Sequence, residues 1–145
     1  MIRAVIDTNV FVSGAAGFQQ GESTPGDIVR RWRRQEFVLI ASAPIIDEIA
    51  RTLATPYFLR QSTPDIRGEL MDALVRDAKH AVLTSFVEGA ASHPEDDLIL
   101  ATAISGRADY LVTGDRNLQR LGSYRSVSMV SPREFLAILP AELSC

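Results

Sequence analysis

Arg3-Ala4-Val5-Ile6-Asp7-Thr8-Asn9, read RAVIDTN, decides the architecture of this chain. A short apolar run, partly β-branched, reads as a buried strand, and it stops on an aspartate with a threonine and an asparagine directly behind it. Phe37–Ala41, Asp109–Thr113 and Val127–Val130 repeat the pattern, each bounded by polar or turn residues, and Ala81-Val82-Leu83 is a further candidate. These runs are continuous rather than alternating, which suits parallel strands covered on both faces.

Helical stretches lie between them. Pro44 to Leu53 puts Ile45, Ile46, Ile49 and Leu53 on one face, and Pro64 to Lys79 repeats Ile66, Leu70 and Leu74 at helical spacing. Ser92 to Ser105 is apolar nearly all round after an acidic first turn, the pattern of a buried helix. Strands alternating with helices predict right-handed βαβ units: a three-layer α/β/α fold around a central parallel sheet of four or five strands. Gly14 to Gly26, rich in Gly, Ser and Gln, is expected to be a loop.

At 145 residues the chain fits one domain spanning 1–145. It is 46% hydrophobic and 23% charged, and no apolar run approaches the roughly 20 residues of a membrane helix, so no membrane association is expected. Strand pattern begins by residue 4 without a charged leader, which points to the cytoplasm. Cys145 is the only cysteine, which excludes disulfides and a cysteine-based zinc site. His80 and His93 have no metal-ligand spacing and read as surface or capping residues. The net charge of -3 lacks the basic balance usual for nucleic-acid binding, yet chemistry that needs clustered carboxylates would itself produce such a charge.

Ligands of an open parallel sheet gather beyond the carboxyl ends of its strands. Asp7 follows one such end, and Asp115 lies just past Leu111-Val112-Thr113-Gly114 at another. In the helix from residue 44, Glu48 stands at the edge of the apolar face, whereas Asp47 points further toward solvent. Ser92-His93-Pro94-Glu95-Asp96-Asp97 adds acids at a helix start. Each has an ordinary reading. Asp7 can cap a helix, Glu48 can be a solvated charge, Ser92 and Glu95 form an S-x-x-E capping box with Asp96 and Asp97 favouring the helix dipole, and Asp115 can open a turn. Together at one sheet edge they point elsewhere: several carboxylates in one cleft need a cation, and hard oxygen donors select Mg²⁺ or Mn²⁺. The chemistry implied is phosphate-ester hydrolysis.

AVIDTNVFVSG at 4–14, SAPIIDEIARTL at 42–53, HPEDDLILATAISGRADYLVTGDRNL at 93–118 and VSMVSPREFL at 127–136 carry a resemblance to the PIN-domain family, the fold of many prokaryotic toxin ribonucleases. The similarity is greatest to the branch of toxin components for which a cognate antitoxin is not always evident. The resemblance implies a metal-dependent endoribonuclease with Asp7, Glu48, Asp96 and Asp115 at the acidic metal positions and Thr8, Asn9 and Thr113 supporting them through hydrogen bonds. It also implies RNA as substrate, an antitoxin protein as partner and a homodimer. Asp96 shares its helical direction with small Ala103, and Asp97 is expected to flank the metal or contribute through water.

A haloacid-dehalogenase-type phosphatase needs a second aspartate where Asn9 stands, and a receiver domain needs a lysine at a strand end, whereas Lys79, the lone lysine, falls in a predicted helix. Gly14, Gly17 and Gly21 come too late for a dinucleotide turn. The remaining alternative is a non-catalytic RNA-binding or protein-interaction module of the same fold. Arg30, Arg31, Arg33 and Arg34 are expected to face away from Ile28, Val29 and Trp32 as a basic surface for phosphates.

Overall fold

The computed structural model describes residues 1–18, 23–84, 87 and 94–140, the side chains of 94 and 95 excepted. Strand β1 (Arg3–Ile6) is central, with Ala4, Val5 and Ile6 buried. It pairs in parallel with β2 (Val38–Ala41), placing Ala4 beside Leu39, and with β4 (Tyr110–Val112), placing Val5 beside Leu111. β3 (Lys79–His80) extends the sheet beyond β2, and β6 (Val127–Val130) extends it beyond β4, both in parallel. The full order is β3-β2-β1-β4-β6-β5, so five parallel strands carry one antiparallel edge strand, β5 (Ser123–Tyr124).

That edge strand was not expected. It is joined to β6 across Arg125 and Ser126, whose φ values of 46° and 72° give the doubly left-handed turn that a two-residue hairpin requires. Such turns usually announce themselves as Asn-Gly or Asp-Gly, and Arg-Ser does not. Ala81-Val82-Leu83, expected as a strand, is not one. Pairing ends where the Ala81 N–H donates to the Ala41 carbonyl, and Val82 is left 79% exposed.

Eight helices lie among the described residues: α1 (Thr8–Ala16), α2 (Thr24–Arg33), α3 (Ala43–Leu53), α4 (Pro56–Gln61), α5 (Pro64–Asp77), α6 (Pro94–Ser105), α7 (Arg116–Leu121) and α8 (Pro132–Ile138). Their starts follow local chemistry. Proline stands in the first turn of α2, α3, α4, α5 and α8, where its missing N–H costs nothing. Ser23 and Thr63 accept from the N–H groups of Gly26 and Ile66, and Ser131 with Glu134 forms a capping box on α8. His80 Nε2 lies against the carbonyls of Leu74 and Val75 near the end of α5, a capping position. Gln19 to Glu22, the expected Ser92/Glu95 box, His93 and Cys145 lie outside the described residues.

The stretch from Gly14 to Gly26 is not one loop. Gly14 belongs to α1, and Thr24 to Gly26 open α2. Glycine misleads here because it serves packing: a β-carbon on Gly14 would stand 2.4 Å from Val29 Cγ2 and 2.7 Å from the Pro25 carbonyl oxygen. Its absence lets α1 and α2 approach closely. Trp32 fills the same seam, 4% exposed and edge-on to Phe11 at 6.0 Å.

Alanine in place of glycine inside an open helix normally stabilises by roughly 1 kcal/mol. At position 14 the sign reverses, because the clash is with backbone and a buried branched side chain. Gly14→Ala is therefore expected to lose about 1–3 kcal/mol in denaturant unfolding; a variant as stable as the parent would mean that the α1–α2 seam is loose.

Candidate functional site

Along the chain, β1 is followed by strands on one side, β2 and then β3, and the next strand, β4, returns to the other side of β1. The carboxyl ends of β1 and β4 thus flank the point where the winding direction reverses, the place where an open α/β sheet leaves a crevice. Asp7 follows β1 directly, its N–H donating to the Val112 carbonyl at 2.9 Å. Thr113 follows β4, its N–H donating to Val130 at 3.0 Å. Both candidate positions are therefore held by the backbone ladder itself.

The Thr113 hydroxyl, on a fully buried residue, donates to Asp7 Oδ2 at 2.8 Å and accepts from the Asp115 N–H at 3.0 Å. Gln119 Nε2 fixes the Thr113 carbonyl at 2.7 Å. Asp115 Oδ1 accepts from the N–H groups of Asn117 and Leu118 and so caps α7, while its Oδ2 makes no hydrogen bond among the described residues. Asp7 occupies the cap position of α1, but its side chain makes no capping bond and is turned to Thr113 instead. Burial pushes the Asp7 carboxyl above the usual aspartate range. The Thr113 hydroxyl and the Thr8 N–H oppose that rise, and the charges of Glu48 and Asp115 add to it.

The other expected supports differ among themselves. Asn9 is exposed at the cleft and makes no side-chain hydrogen bond among the described residues. The Thr8 hydroxyl is buried with no partner there.

Glu48 comes from the middle of α3 and Asp96 from the first turn of α6. Sequence reasoning missed what ties these two helices together. Ser42, just before α3, shares a buried 2.8 Å hydrogen bond with Thr102 of α6, whose hydroxyl also reaches the Leu98 carbonyl at 3.0 Å. Ala103 is fully buried, as the close approach of α6 to the sheet requires.

One open cleft of about 570 Å³ gathers Asp7, Glu48, Asp96 and Asp115. Asn9, Val10, Ser13, Pro25, Gly114 and Pro132 complete its lining, and Asp97 is not part of it. Ser13 could have been found from sequence, since it stands four residues after Asn9 on the same face of α1. Among the described residues the lining holds four acids and no cation. Among the described residues no three acid or imidazole groups are close enough to grip one ion directly. The donor chemistry nonetheless fits a hard divalent ion, and the spacing fits one that keeps several of its own waters, as Mg²⁺ does.

Arg30, Arg31 and Arg33 of α2 and Arg34, its exposed C-cap residue, do not form one solvent-facing surface. At 100° per residue Arg31 stands only about 60° from Ile28, and it is accordingly buried at 7% exposure, its fork meeting Glu36 at 2.8 Å and the Pro140 carbonyl. Arg30 pairs with Asp27 and reaches the carbonyls of Gly17 and Phe18. Arg33 pairs with Asp77 at 3.0 Å and lies over the Trp32 ring.

Residues 3–117 match the family model described as PIN domain. No curated protein matches the chain. No helix among the described residues is long and apolar enough to cross a membrane.

The elevated Asp7 carboxyl carries a stability consequence for the metal-free chain. The folded state holds this proton more tightly than the unfolded state, so the contribution of Asp7 is full below the ordinary aspartate range and falls as pH rises through its folded value. Asparagine removes the charge and keeps an acceptor for Thr113. In EDTA at pH 7, Asp7→Asn should melt above the parent, with the gap narrowing as pH is lowered; equal or lower melting at pH 7 would contradict the desolvation argument.

Proposed function

The chain belongs to the PIN-domain family, whose members are generally nucleases, and from that premise we propose that it is a Mg²⁺- or Mn²⁺-dependent endoribonuclease acting as the toxin of a toxin-antitoxin pair. The observation that carries the reading is the cleft at the reversal point of the sheet, lined by Asp7, Glu48, Asp96 and Asp115 with no cationic side chain among its described residues. A divalent ion bound there supplies positive charge to the phosphate and lowers the pKa of water.

The chain's own residues do the rest. Asp7, Asp96 and Asp115, with Glu48, hold the ion, and Asp97 contributes from outside the cleft lining. Thr113 fixes the Asp7 carboxylate through Oδ2 and the Asp115 backbone through its N–H, so two ligands from two strands keep one orientation. Asn9 and Ser13, one turn apart on α1, offer uncharged polar groups to the substrate beside the acids. Hydrolysis adds water across the phosphodiester and leaves one phosphate end and one hydroxyl end.

The direct test is cleavage of labelled RNA with Mg²⁺ or Mn²⁺ by variants that melt normally. Asp7→Asn should abolish cutting, and Thr113→Val should reduce it roughly 10–100-fold. Asp96→Asn should lose more activity and Mn²⁺ affinity than Asp97→Asn, because only Asp96 lines the cleft. Wild-type cutting by Asp7→Asn would refute the mechanism, and an equal or larger loss at Asp97 would mean that the metal is approached from the other side of α6.

The second reading is a non-catalytic RNA-binding module, favoured by the spacing of the acids, which grips no ion directly. RNA binding without cutting in either metal would select it. An antitoxin partner and a homodimer belong to the toxin assignment. Expression in a bacterial host should arrest growth, with relief by the product of the adjacent gene; growth unaffected by an active wild-type enzyme would remove the toxin role and leave the nuclease.

A further inference from the structure

We propose that a single strand of RNA crosses the carboxyl edge of the sheet from α3 toward α8, its phosphates held by Arg51 on one side of the acidic cleft and by Arg116 and Arg133 on the other. The ligand class rests on the ribonuclease reading, and the path and its three arginines are new to it.

A polyanion entering a cleft of four carboxylates on a chain of net charge -3 needs local cations beside the acids. The α2 arginines serve poorly, since Arg30, Arg31 and Arg33 are already paired with Asp27, Glu36 and Asp77. Arg51 is different. It follows Asp47 by four residues and Glu48 by three, spacings at which a helix ordinarily forms ion pairs, yet it is exposed and makes no ion pair or hydrogen bond among the described residues.

Arg51 borders a second hollow of about 490 Å³, lined also by Pro44, Asp47, Glu48 and Leu98. Glu48 lines both this hollow and the acidic cleft, so the two adjoin across one side chain. Pro44 and Leu98 give the hollow apolar surface on which a base or sugar can lie, while Arg51 meets the neighbouring phosphate.

The opposite flank has matching groups. Arg116 directly follows Asp115 and Arg133 directly follows Pro132, and Asp115 and Pro132 both line the cleft. Both arginines are exposed and without an ion pair or hydrogen bond among the described residues. Topology puts the two groups on opposite sides: α3 follows β2, to one side of β1, whereas α7 and α8 follow β4 and β6, to the other.

The test is fluorescence anisotropy of a labelled 12-nucleotide single-stranded RNA bound to the full chain, with Ca²⁺ in place of Mg²⁺ or Mn²⁺ so that binding is read apart from cleavage. Each lost phosphate contact on a single strand should lower the salt slope of log K by about 0.7. Arg51→Ala is expected to weaken binding several-fold and reduce the slope by one such step, and Arg116→Ala/Arg133→Ala by two. Arg60→Ala, on α4, should bind as wild type. Uncharged methylphosphonate linkages should then cost Arg51→Ala nothing on one side of the bound register while still weakening it on the other.

Wild-type affinity and slope in the Arg51 variant and the double variant would overturn the proposal, as would an equal loss in Arg60→Ala or no RNA binding by wild type. Failure of the nuclease reading shows differently: the wild-type chain would bind RNA with these slopes and leave it uncut in Mg²⁺ and Mn²⁺.

Discussion

Taking a carboxylate out of water costs free energy, and Asp7 is taken out of water with the charges of Glu48 and Asp115 near enough to raise the cost. Directed hydrogen bonds from Thr113 and the Thr8 N–H offset part of that cost. A threonine hydroxyl has one proton to give. At Thr113 that proton goes to Asp7, because the oxygen already accepts the N–H of Asp115. The β-branched side chain has few rotamers to choose from, so the direction of the bond is fixed by covalent geometry as well as by its partners. The ladder bonds from the Asp7 and Thr113 N–H groups then fix where the two strand ends stand relative to each other.

The same constraint explains how helices are used around the cleft. Asp7, Asp96 and Asp115 stand at or near the starts of α1, α6 and α7, where N–H groups without a partner inside the helix present partial positive charge. Glu48 is the exception, carried mid-helix on α3 and offered sideways. Its placement depends on how α3 lies against α6, and the buried Ser42–Thr102 pair fixes that relation from inside. Such a pair is stable only while both hydroxyls remain bonded, and Thr102 secures this by also meeting the Leu98 carbonyl.

Much of this was legible in sequence because it depends on local periodicity. The strands at residues 3, 38, 110 and 127 and the helices α3, α5 and α6 all announce themselves through apolar runs or helical spacing. The acids were legible because strand ends and helix starts are readable, so their meeting at one sheet edge followed from topology. What escaped depends on contacts distant in sequence. Gly14 looks like a loop residue until Val29 and Pro25 are placed against it. Arg31 looks like surface charge until Glu36 and the Pro140 carbonyl close around it. Ser42 and Thr102 are sixty positions apart, and nothing in either neighbourhood marks them as partners.

Positive charge is distributed by the same logic. Under the proposed mechanism an arginine inside the cleft would compete with the metal for the acids, so cations belong near the cleft but outside its lining. Arg51, Arg116 and Arg133 satisfy that condition, each one turn or one residue removed from a group that lines it. The α2 arginines instead spend their charge within the fold, Arg31 on Glu36 and the chain's return at Pro140, Arg33 on Asp77 and the face of Trp32. The sequence alone favours the Arg30–Arg34 cluster, because four arginines within five positions stand out where isolated ones do not. What separates them is whether an acid or carbonyl of the chain is already in reach, because an arginine already paired must break those bonds before it can meet a phosphate.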